Sequence, residues 1–495
     1  MRDFTLFIPE FIAISGAIAI LAAELIWPKI RKDYLAYATA AGALGWLIAA
    51  IPYIGDTAGD FEGVLLTDDF TTYFRILAAG IVMAIALISA HYMRDRTSTA
   101  GEYYGLLLVA GTGMVLMAAS RELLTAYMSL ELLSFSLYIL VGYFKRDRLS
   151  NEASLKYILL GAFSSAMLLY GISLIYGVTG TTSYEGIAEA LAAREGGTDA
   201  ATVVGIMLIV AGVGFKVSAA PFHMWAPDAY QGAPLPITAF LSTASKAAGF
   251  ALILRLFTGA LVVDAVEWRA VIAALAAITM TAGNLLAIQQ TNLKRLVAYS
   301  SIGQVGYMLV AIAAIGYGDA ATAESASSAL LLHIVGYTVS TLALFTALTA
   351  HYNRTGDDSI AGLRGLAETQ PFLALVITAS LFSFAGLPFF AGFATKLLLF
   401  QASTTEGLLW LVGLAAANSF VSLYYYLMVM RQMYLFDPPE GQTRFRPSPL
   451  LGALAGLLLL GVLFIGVYPQ PAFEATDRAA SALFEVSASG LIRLP

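Results

Sequence analysis

Long apolar runs dominate the chain, and short polar segments separate them. Runs such as LFIPEFIAISGAIAILAAELIW and LLGALAGLLLLGVLFIGVY reach the roughly 20 residues that an α-helix needs to cross about 30 Å of hydrocarbon. A helix satisfies its backbone polar groups internally, as a bilayer requires. The pattern therefore predicts an all-α integral membrane protein with about 14 transmembrane helices.

The predicted spans have approximate boundaries. The first lacks a basic leader and a small-residue cleavage site, so we expect a retained helix instead of a signal peptide. After the last span, AFEATDRAASALFEVSASGLI has apolar residues at helical spacing, which predicts a helix along the membrane surface or against a neighbour. The spans are 5–27, 34–54, 72–93, 104–119, 122–144, 155–177, 202–231, 235–261, 269–289, 295–317, 326–350, 370–401, 408–434 and 449–468.

Composition agrees with this class and excludes several kinds of chemistry. The chain is 59% hydrophobic and 12% charged, far from the usual range of soluble domains. It has no cysteine, which excludes thiolate-bound iron–sulfur clusters and disulfides. It also lacks a GxxxxGK[ST] motif and a GxGxxG motif after a strand. We therefore expect no cofactor and no metal in this chain, the lipid bilayer as its surroundings and no nucleic-acid partner.

Basic residues are distributed unevenly among the connections. With the N-terminus outside, fifteen lie in inner loops and seven in outer segments, where acidic residues also gather. Because positive charge favours cytoplasmic loops, we predict that both termini lie outside. The inner residues are Lys29, Arg31, Lys32, Arg94, Arg96, Lys145, Arg146, Arg148, Lys294, Arg295, Arg354, Arg364, Arg431, Arg444 and Arg446, and the outer ones are Arg2, Arg75, Arg121, Arg194, Arg269, Arg478 and Arg493.

Three matches indicate an internal repeat. SLELLSFSLYIL at 129 aligns with AYSSIGQVGYML at 298, and the segment around Pro221 aligns with that around Pro388, both prolines interrupting long spans. Gly161 and Ser165 align with Gly336 and Ser340 at a similar offset. Five spans per unit force opposite orientations, so the sequence predicts two inverted five-helix repeats, each with a proline-broken helix. The predicted units are 1–103 (three helices), 104–261 (first repeat), 269–434 (second repeat) and 435–495 (last helix and tail).

Charged residues inside the spans are the candidate functional groups. Each central charge costs roughly 2.5–3.5 kcal/mol on insertion scales, which suggests a function or a partner. Lys246 follows Pro236 by about 15 Å of helix and lies near the midplane, and Glu131 reaches a similar depth. The basic residues inside spans are Lys156, Lys216, Lys246, Arg255 and Lys396.

Burial lowers the pKa of a lysine and a nearby carboxylate raises it, so a lysine whose distance to a carboxylate varies can take and release a proton. Pro221 frees backbone carbonyls and makes room for water close to Lys216. Glu131 and Lys216 therefore form either a proton-exchanging pair or an inert ion pair that fixes helix register. Lys246 and Lys396 are open to structural readings too, and snorkelling is the alternative for Lys396.

Other polar groups remain ambiguous from the sequence. Lys156 and Arg255 lie nearer span ends and are expected to snorkel or to form pairs. His333 either relays protons or bonds to a neighbouring helix. Glu10 and Glu24 either anchor a neighbouring subunit or feed a proton path.

Four segments together resemble the antiporter-like membrane subunits of respiratory complex I. They are MSLELLSF, GFKVSAAPFHMWAPDAYQGAP, LPITAFLSTASKAAGF and GLPFFAGFATK, within residues 100–435. Lys396 stands where the M type of subunit usually has glutamate, and 470–495 is too short for the lateral helix of the L type. Of the three antiporter-like types in this family, the resemblance is therefore to the third, which is neither the M type nor the L type.

This resemblance implies a proton channel driven by quinone reduction in other subunits. On the family pattern Glu131 pairs with Lys216, Lys246 and His333 link two half-channels, and Lys396 passes the proton outward. NADH, FMN, iron–sulfur clusters and a quinone are then expected in other subunits. The implied partners are neighbouring antiporter-like and small membrane subunits in the cell membrane. A multisubunit cation/proton antiporter or membrane hydrogenase, and a non-pumping scaffold, are the alternatives.

Overall fold

The computed structural model describes residues 4–55, 59–94, 96–194, 198–405, 407–439 and 443–488. Arg2, Arg493 and the last residues of the predicted tail helix lie outside these ranges. The helices are α1 (Ile8–Ile26), α2 (Lys32–Ala50), α3 (Asp69–Arg94), α4 (Ala100–Ala119), α5 (Leu123–Val141), α6 (Arg148–Thr179), α7 (Tyr184–Ala192), α8 (Ala200–Val217), α9 (Trp225–Gly232), α10 (Leu235–Phe240), α11 (Lys246–Arg255), α12 (Ala265–Ile288), α13 (Leu293–Tyr317), α14 (Ala320–Thr355), α15 (Leu366–Thr369), α16 (Pro371–Ala385), α17 (Ala391–Ala402), α18 (Leu409–Leu435), α19 (Pro449–Val467) and α20 (Gln470–Ala488).

The prediction of an all-α membrane protein is confirmed. Among the described residues, 13 helices are long and apolar enough to cross a bilayer, or 14 if the pair at Ala361–Thr369 and Pro371–Ala385, bent by 120°, is one span. The segment Leu235–Ala260 is buried along its whole apolar stretch, whereas only 33% of that of α6 is buried. Helix α10 contacts α3 and α14, and α11 contacts α4 and α8, so these two helices lie in the interior of the molecule.

Two long predicted spans are interrupted at their prolines. Residues 202–231 form α8 and α9, with the irregular segment 218–224 between them. Residues 370–401 form α16 and α17, separated by 386–390. These segments, here called the first break and the second break, confirm the proline-broken helices, while the inverted relation of the two repeats and the unit boundaries stay predictions.

Some elements were absent from the prediction. A short antiparallel hairpin pairs β1 (Gly59–Phe61) with β2 (Leu65–Thr67), and α7 lies between α6 and α8. One π-helical turn, Leu241–Ser245, joins α10 to α11, and another, Leu256–Ala260, follows α11. Such turns widen the helix by one residue and are frequent at functional sites. Periodicity of apolar residues does not report them, because the segment stays helical and buried.

The tail helix α20 packs against the body of the protein. It contacts α14 and α3, and Ala479, Ala480 and Leu483 are buried. Ser481 also donates a hydrogen bond to the Glu324 carboxylate at the start of α14. Of the two sequence-based options, contact with neighbouring helices is therefore the one observed.

Ion pairs join segments that the orientation prediction places on the same side. On the predicted inner side, Lys294 pairs with Asp358 at 3.0 Å and Arg295 with Asp228 at 2.5 Å. On the predicted outer side, Arg194 lies 2.7 Å from Asp264. The grouping of loops is thus consistent with the predicted topology, and the side on which the termini lie stays a prediction.

Candidate functional site

The first break begins where α8 runs out of helical hydrogen bonds. Ser218 adopts a left-handed conformation with φ of 66°, and its amide and that of Ala219 bond back to carbonyls of the last turn of α8. The Ala220 amide donates to Thr279 Oγ1 at 2.9 Å. Proline at 221 has no N–H to offer the Val217 carbonyl. The break therefore leaves a backbone acceptor in the middle of the protein.

Lys246 supplies the missing hydrogen-bond donor to the Val217 carbonyl. Its Nζ donates to the Val217 carbonyl oxygen at 3.3 Å, and it is the first residue after the π-helical turn of α10–α11. Gly249, one turn later, allows the two helices to approach, since a Cβ there would lie 2.6 Å from Val217 Cγ1. The buried Lys246 ammonium thus stabilises a freed carbonyl, an interaction that the sequence alone did not specify.

Lys216 lies beside the same break but points to α5. Its Nζ donates to Ser134 Oγ at 2.9 Å, and Ser134 lies one helical turn after Glu131. The Glu131 carboxylate accepts a hydrogen bond from Ser165 of α6. Among the described residues, Glu131 and Lys216 do not form an ion pair within 4 Å. The pairing of Glu131 with Lys216 therefore stays a prediction: the ammonium is bonded to Ser134, whose own hydroxyl donates to the Leu130 carbonyl at 2.7 Å, and Glu131 lies one turn earlier on α5.

The second break has a similar carbonyl and a different set of donors. Lys396 of α17 donates to the Phe384 carbonyl at 2.6 Å and to Ser419 Oγ at 3.1 Å. The amide of Gln304 also donates to the Phe384 carbonyl, at 3.0 Å. The Lys396 ammonium additionally lies 4.5 Å from the centre of the Tyr307 ring, where the negative face of the ring attracts a cation.

His333 belongs to the neighbourhood of the second break. Its Nδ1 lies 2.9 Å from Thr395 Oγ1, on the residue before Lys396. Its Nε2 is buried and has no hydrogen-bond partner within the described part of the chain. A buried ring nitrogen without a partner is costly unless another group or water meets it. Both sequence-based readings of His333 survive, since it contacts a neighbouring helix and keeps one nitrogen available.

The structure therefore arranges the five predicted residues as two groups. Glu131, Lys216 and Lys246 surround the first break, and His333 and Lys396 lie at the second. All three lysines are at most 4% exposed, so none of them snorkels to the membrane surface. The reading of Lys396 as a snorkelling residue is therefore wrong.

The remaining charged groups of the spans are paired within the chain. Arg255 binds Asp68 at 2.7 Å, and Lys156 lies 2.8 Å from Asp228, which confirms pairing for both. Glu10 bonds to Arg75 through both carboxylate oxygens. Glu24 bonds to Lys32 and to the Gly101 amide. Because these pairs satisfy their carboxylates locally, they leave the two breaks as the candidate site.

Several polar partners were missed by sequence reasoning. Hydroxyl groups are common in apolar helices, and only helix rotation decides which of them meets a lysine. Proximity along the helix to a charged residue is the available signal: Ser134 lies one turn after Glu131, and Thr395 directly precedes Lys396. Within the described residues no group of three or more His, Asp or Glu side chains could hold a metal ion. The missed partners are Ser134, Ser165, Gln304, Tyr307, Thr395 and Ser419.

Comparison with known proteins identifies the architecture. The sequence model of a transmembrane family described as NADH:quinone oxidoreductase/Mrp antiporter matches residues 120–422, more than half of the chain and both breaks. The chain belongs to this antiporter-type family. The family resemblance inferred from the lysine-bearing segments is therefore confirmed.

Relatives and solved structures within the family match nearly the whole chain. NADH-quinone oxidoreductase subunit N of Moorella thermoacetica is 40% identical over 487 residues, which cover 98% of this chain and 100% of the relative. A chain of respiratory complex I from Thermus thermophilus with bound aureothin superposes with a TM-score of 0.78 at 30% identity, covering 95% of this chain and 100% of that one. A chain of the archaeal membrane-bound sulfane sulfur reductase gives a TM-score of 0.84 at 26% identity, over 98% of this chain and 99% of that one. The relatives include the N type of subunit, which the resemblance had favoured.

Proposed function

We propose that the chain is the N-type antiporter-like subunit of an NADH:quinone oxidoreductase and moves protons across the cell membrane. The observation that carries this proposal is the placement of three buried lysines at two helix breaks. Two of these lysines donate to carbonyls that the breaks set free. Ammonium groups so far from water are expensive in a membrane and mark ion pathways.

The first break supplies a proton carrier and a place to hand the proton on. The Lys216 ammonium donates to Ser134 Oγ, and the Ser134 hydroxyl in turn donates to the Leu130 carbonyl. In this proposal that hydroxyl turns toward Glu131, one turn earlier on α5, when the proton moves. When Lys216 loses its proton it becomes neutral, and its attraction to the Glu131 carboxylate weakens. When it gains a proton the attraction returns. In this proposal Glu131 and Lys216 exchange charge as the surrounding subunits change, and Lys246 receives the proton beside the Val217 carbonyl.

The second break is the proposed exit. His333 and Lys396 share α17 as their point of contact, through Thr395. Lys396 has no carboxylate within salt-bridge distance among the described residues, so its charge is balanced by a carbonyl, a hydroxyl and an aromatic ring. We propose that 104–261 and 269–434 are inverted repeats whose chemistry has diverged, so that the halves form one path with an entrance and an exit.

The redox chemistry and the partners lie outside the chain in this proposal. NADH, FMN, iron–sulfur clusters and a quinone belong to other subunits, and quinone reduction there supplies the free energy. Neighbouring antiporter-like and small membrane subunits cover part of the lipid-facing surface. Both termini lie on the outer side of the membrane.

A second candidate is a subunit of another multisubunit membrane complex, such as a cation/proton antiporter or a membrane hydrogenase. The close superposition on the sulfane sulfur reductase chain supports this second candidate. Deleting the chain and measuring NADH-driven quinone reduction in membranes separates the two, because only the first candidate predicts loss of that activity.

Lys216→Met in inside-out membrane vesicles tests the proposed function. NADH-driven quinone reduction and acidification are measured together, and a native gel checks assembly. Methionine keeps most of the length of the side chain and removes its charge. We expect both activities to fall at least about tenfold, the scale of a lost proton-transfer group.

Lys156→Met is the matched control, since this lysine is 44% exposed and paired at the surface. We expect its activities to stay within about twofold of wild type, because exposed pairs contribute little. Normal activities for Lys216→Met in an assembled complex would show that Lys216 is structural and would leave a scaffold as the remaining function.

A further inference from the structure

Four buried hydroxyl groups lie between the two breaks. Ser242 Oγ and Tyr337 OH are 2.5 Å apart, and Tyr230 OH lies 3.5 Å from Ser301 Oγ. Each serine also lies within interaction range of the other tyrosine. All four side chains are buried. We call Tyr230, Ser242, Ser301 and Tyr337 the hydroxyl cluster.

The position of the cluster in the fold links the two groups of site residues. Ser242 lies in the π-helical turn directly before Lys246, four residues earlier in the chain. Tyr337 lies on α14 four residues after His333, and residues at this spacing share a face of a helix. The cluster therefore adjoins Lys246 on one side and His333 on the other.

The second break contacts the cluster as well. The Tyr337 ring packs against Phe384, with ring centres 5.6 Å apart, and the Phe384 carbonyl accepts from Lys396. Among the described residues, the side chains of Lys246 and His333 share no hydrogen bond. The Ser242–Tyr337 hydrogen bond, at 2.5 Å, connects the π-helical turn between α10 and α11 to α14.

We propose that the hydroxyl cluster, through Ser242 and Tyr337, is the proton crossover between the two halves of the protein. This inference rests on the proposed function. A hydroxyl passes a proton by accepting one on its oxygen as it gives up its own. When a proton arrives at Ser242 from the side of Lys246, Ser242 releases its original proton to Tyr337, and Tyr337 releases its own toward His333. Each oxygen ends neutral, and both hydroxyls then rotate back before the next transfer.

The π-helical turn gives this crossover a physical basis. It shifts the register of α10–α11 by one residue at 241–245, so Ser242 and Lys246 do not follow the rotation of a regular α-helix. The tyrosine brings a hydroxyl across the gap between helices while its ring packs among apolar side chains. A neutral relay costs less in a dry interior than another charge would.

Tyr337→Phe and Ser242→Ala test the crossover in the assembled complex. Phenylalanine keeps the ring and removes only the hydroxyl. We expect NADH-driven acidification in vesicles to fall at least about tenfold for Tyr337→Phe, with normal assembly on a native gel. Ser242→Thr keeps a hydroxyl and is expected to recover most of the activity lost in Ser242→Ala, which a purely structural role of the serine would not predict.

The matched control is Tyr103→Phe. Tyr103 forms a comparable buried pair with Ser89, at 2.8 Å, in the N-terminal helices, and we expect it to pump like wild type. Normal pumping by Tyr337→Phe together with impaired Lys216→Met would overturn the crossover and leave the proposed function intact. Normal pumping by both variants would overturn the proposed function itself.

Discussion

The two breaks solve the same backbone problem with different side chains. Each ends a helix in the membrane interior and leaves a carbonyl to which a lysine donates, Lys246 at the first and Lys396 at the second. The first break adds a further lysine and a carboxylate, whereas the second adds Gln304 and an aromatic ring. A helix break by itself thus requires a donor, and the carboxylate at the first break is additional chemistry.

The difference between the breaks also appears at aligned positions. By the proline alignment Ser383 stands where Lys216 stands in the first unit, and it bonds to Ser340 and to the Gly392 amide. A serine in this position holds the start of α17 in place and carries no charge. The first break therefore has a lysine and a carboxylate, Lys216 and Glu131, which can exchange charge. The second break has a single cation, Lys396, which it can hold and release.

The largest expected difference between the two breaks is in how Lys246→Met and Lys396→Met affect assembly of the complex. At the first break Lys246 is the recorded donor to the Val217 carbonyl among the described residues, and an unpaired buried polar group costs about 1–3 kcal/mol. At the second break Gln304 still donates when Lys396 is replaced. We expect acidification to fall at least about tenfold in both variants, but assembly on a native gel to fall only for Lys246→Met.

Gln304→Leu combined with Lys396→Met sharpens this test. The double variant removes both side-chain donors from the Phe384 carbonyl, and its assembly is expected to fall to the level of Lys246→Met. Equal assembly of all three variants would contradict the role given to the freed carbonyls.

A smaller effect is expected for Ser134→Ala. Its hydroxyl lies between Lys216 and the turn that carries Glu131, and a water molecule can replace it in part. We expect acidification to fall about threefold to tenfold, roughly 1 kcal/mol as for one hydrogen bond, and Ser134→Thr to retain most of it. An unchanged rate for Ser134→Ala would mean that Lys216 reaches Glu131 without this hydroxyl.

Much of the fold follows from the sequence, because apolar runs of membrane length have few alternatives to a helix. The spans at 449–468 and 408–434, for example, agree with α19 and α18 within a residue or two. Pro221 and Pro388 marked both breaks, since proline cannot continue the hydrogen-bond pattern. The hairpin and the π-helical turns escaped notice, because the former is short and the latter does not change hydropathy.

The candidate site was predicted in part. Depth along a helix can be counted from the sequence, so the burial of Lys216 and Lys246 was expected. Rotation about the helix axis cannot be counted in this way, and it brings the Lys216 ammonium within hydrogen-bond distance of Ser134. The same limit applies to the Ser242–Tyr337 contact, whose partners lie 95 residues apart.

The central claim is that the two breaks belong to one proton path, and the Lys216→Met/Lys396→Met double variant tests it most directly. Acidification is measured in vesicles, normalised to assembled complex, for each single variant and for the double. A single path predicts that the double variant pumps no less than the more impaired single variant, because either substitution already blocks the path. If each single variant keeps about half of the activity and the double loses it all, the halves are independent channels and the account is contradicted.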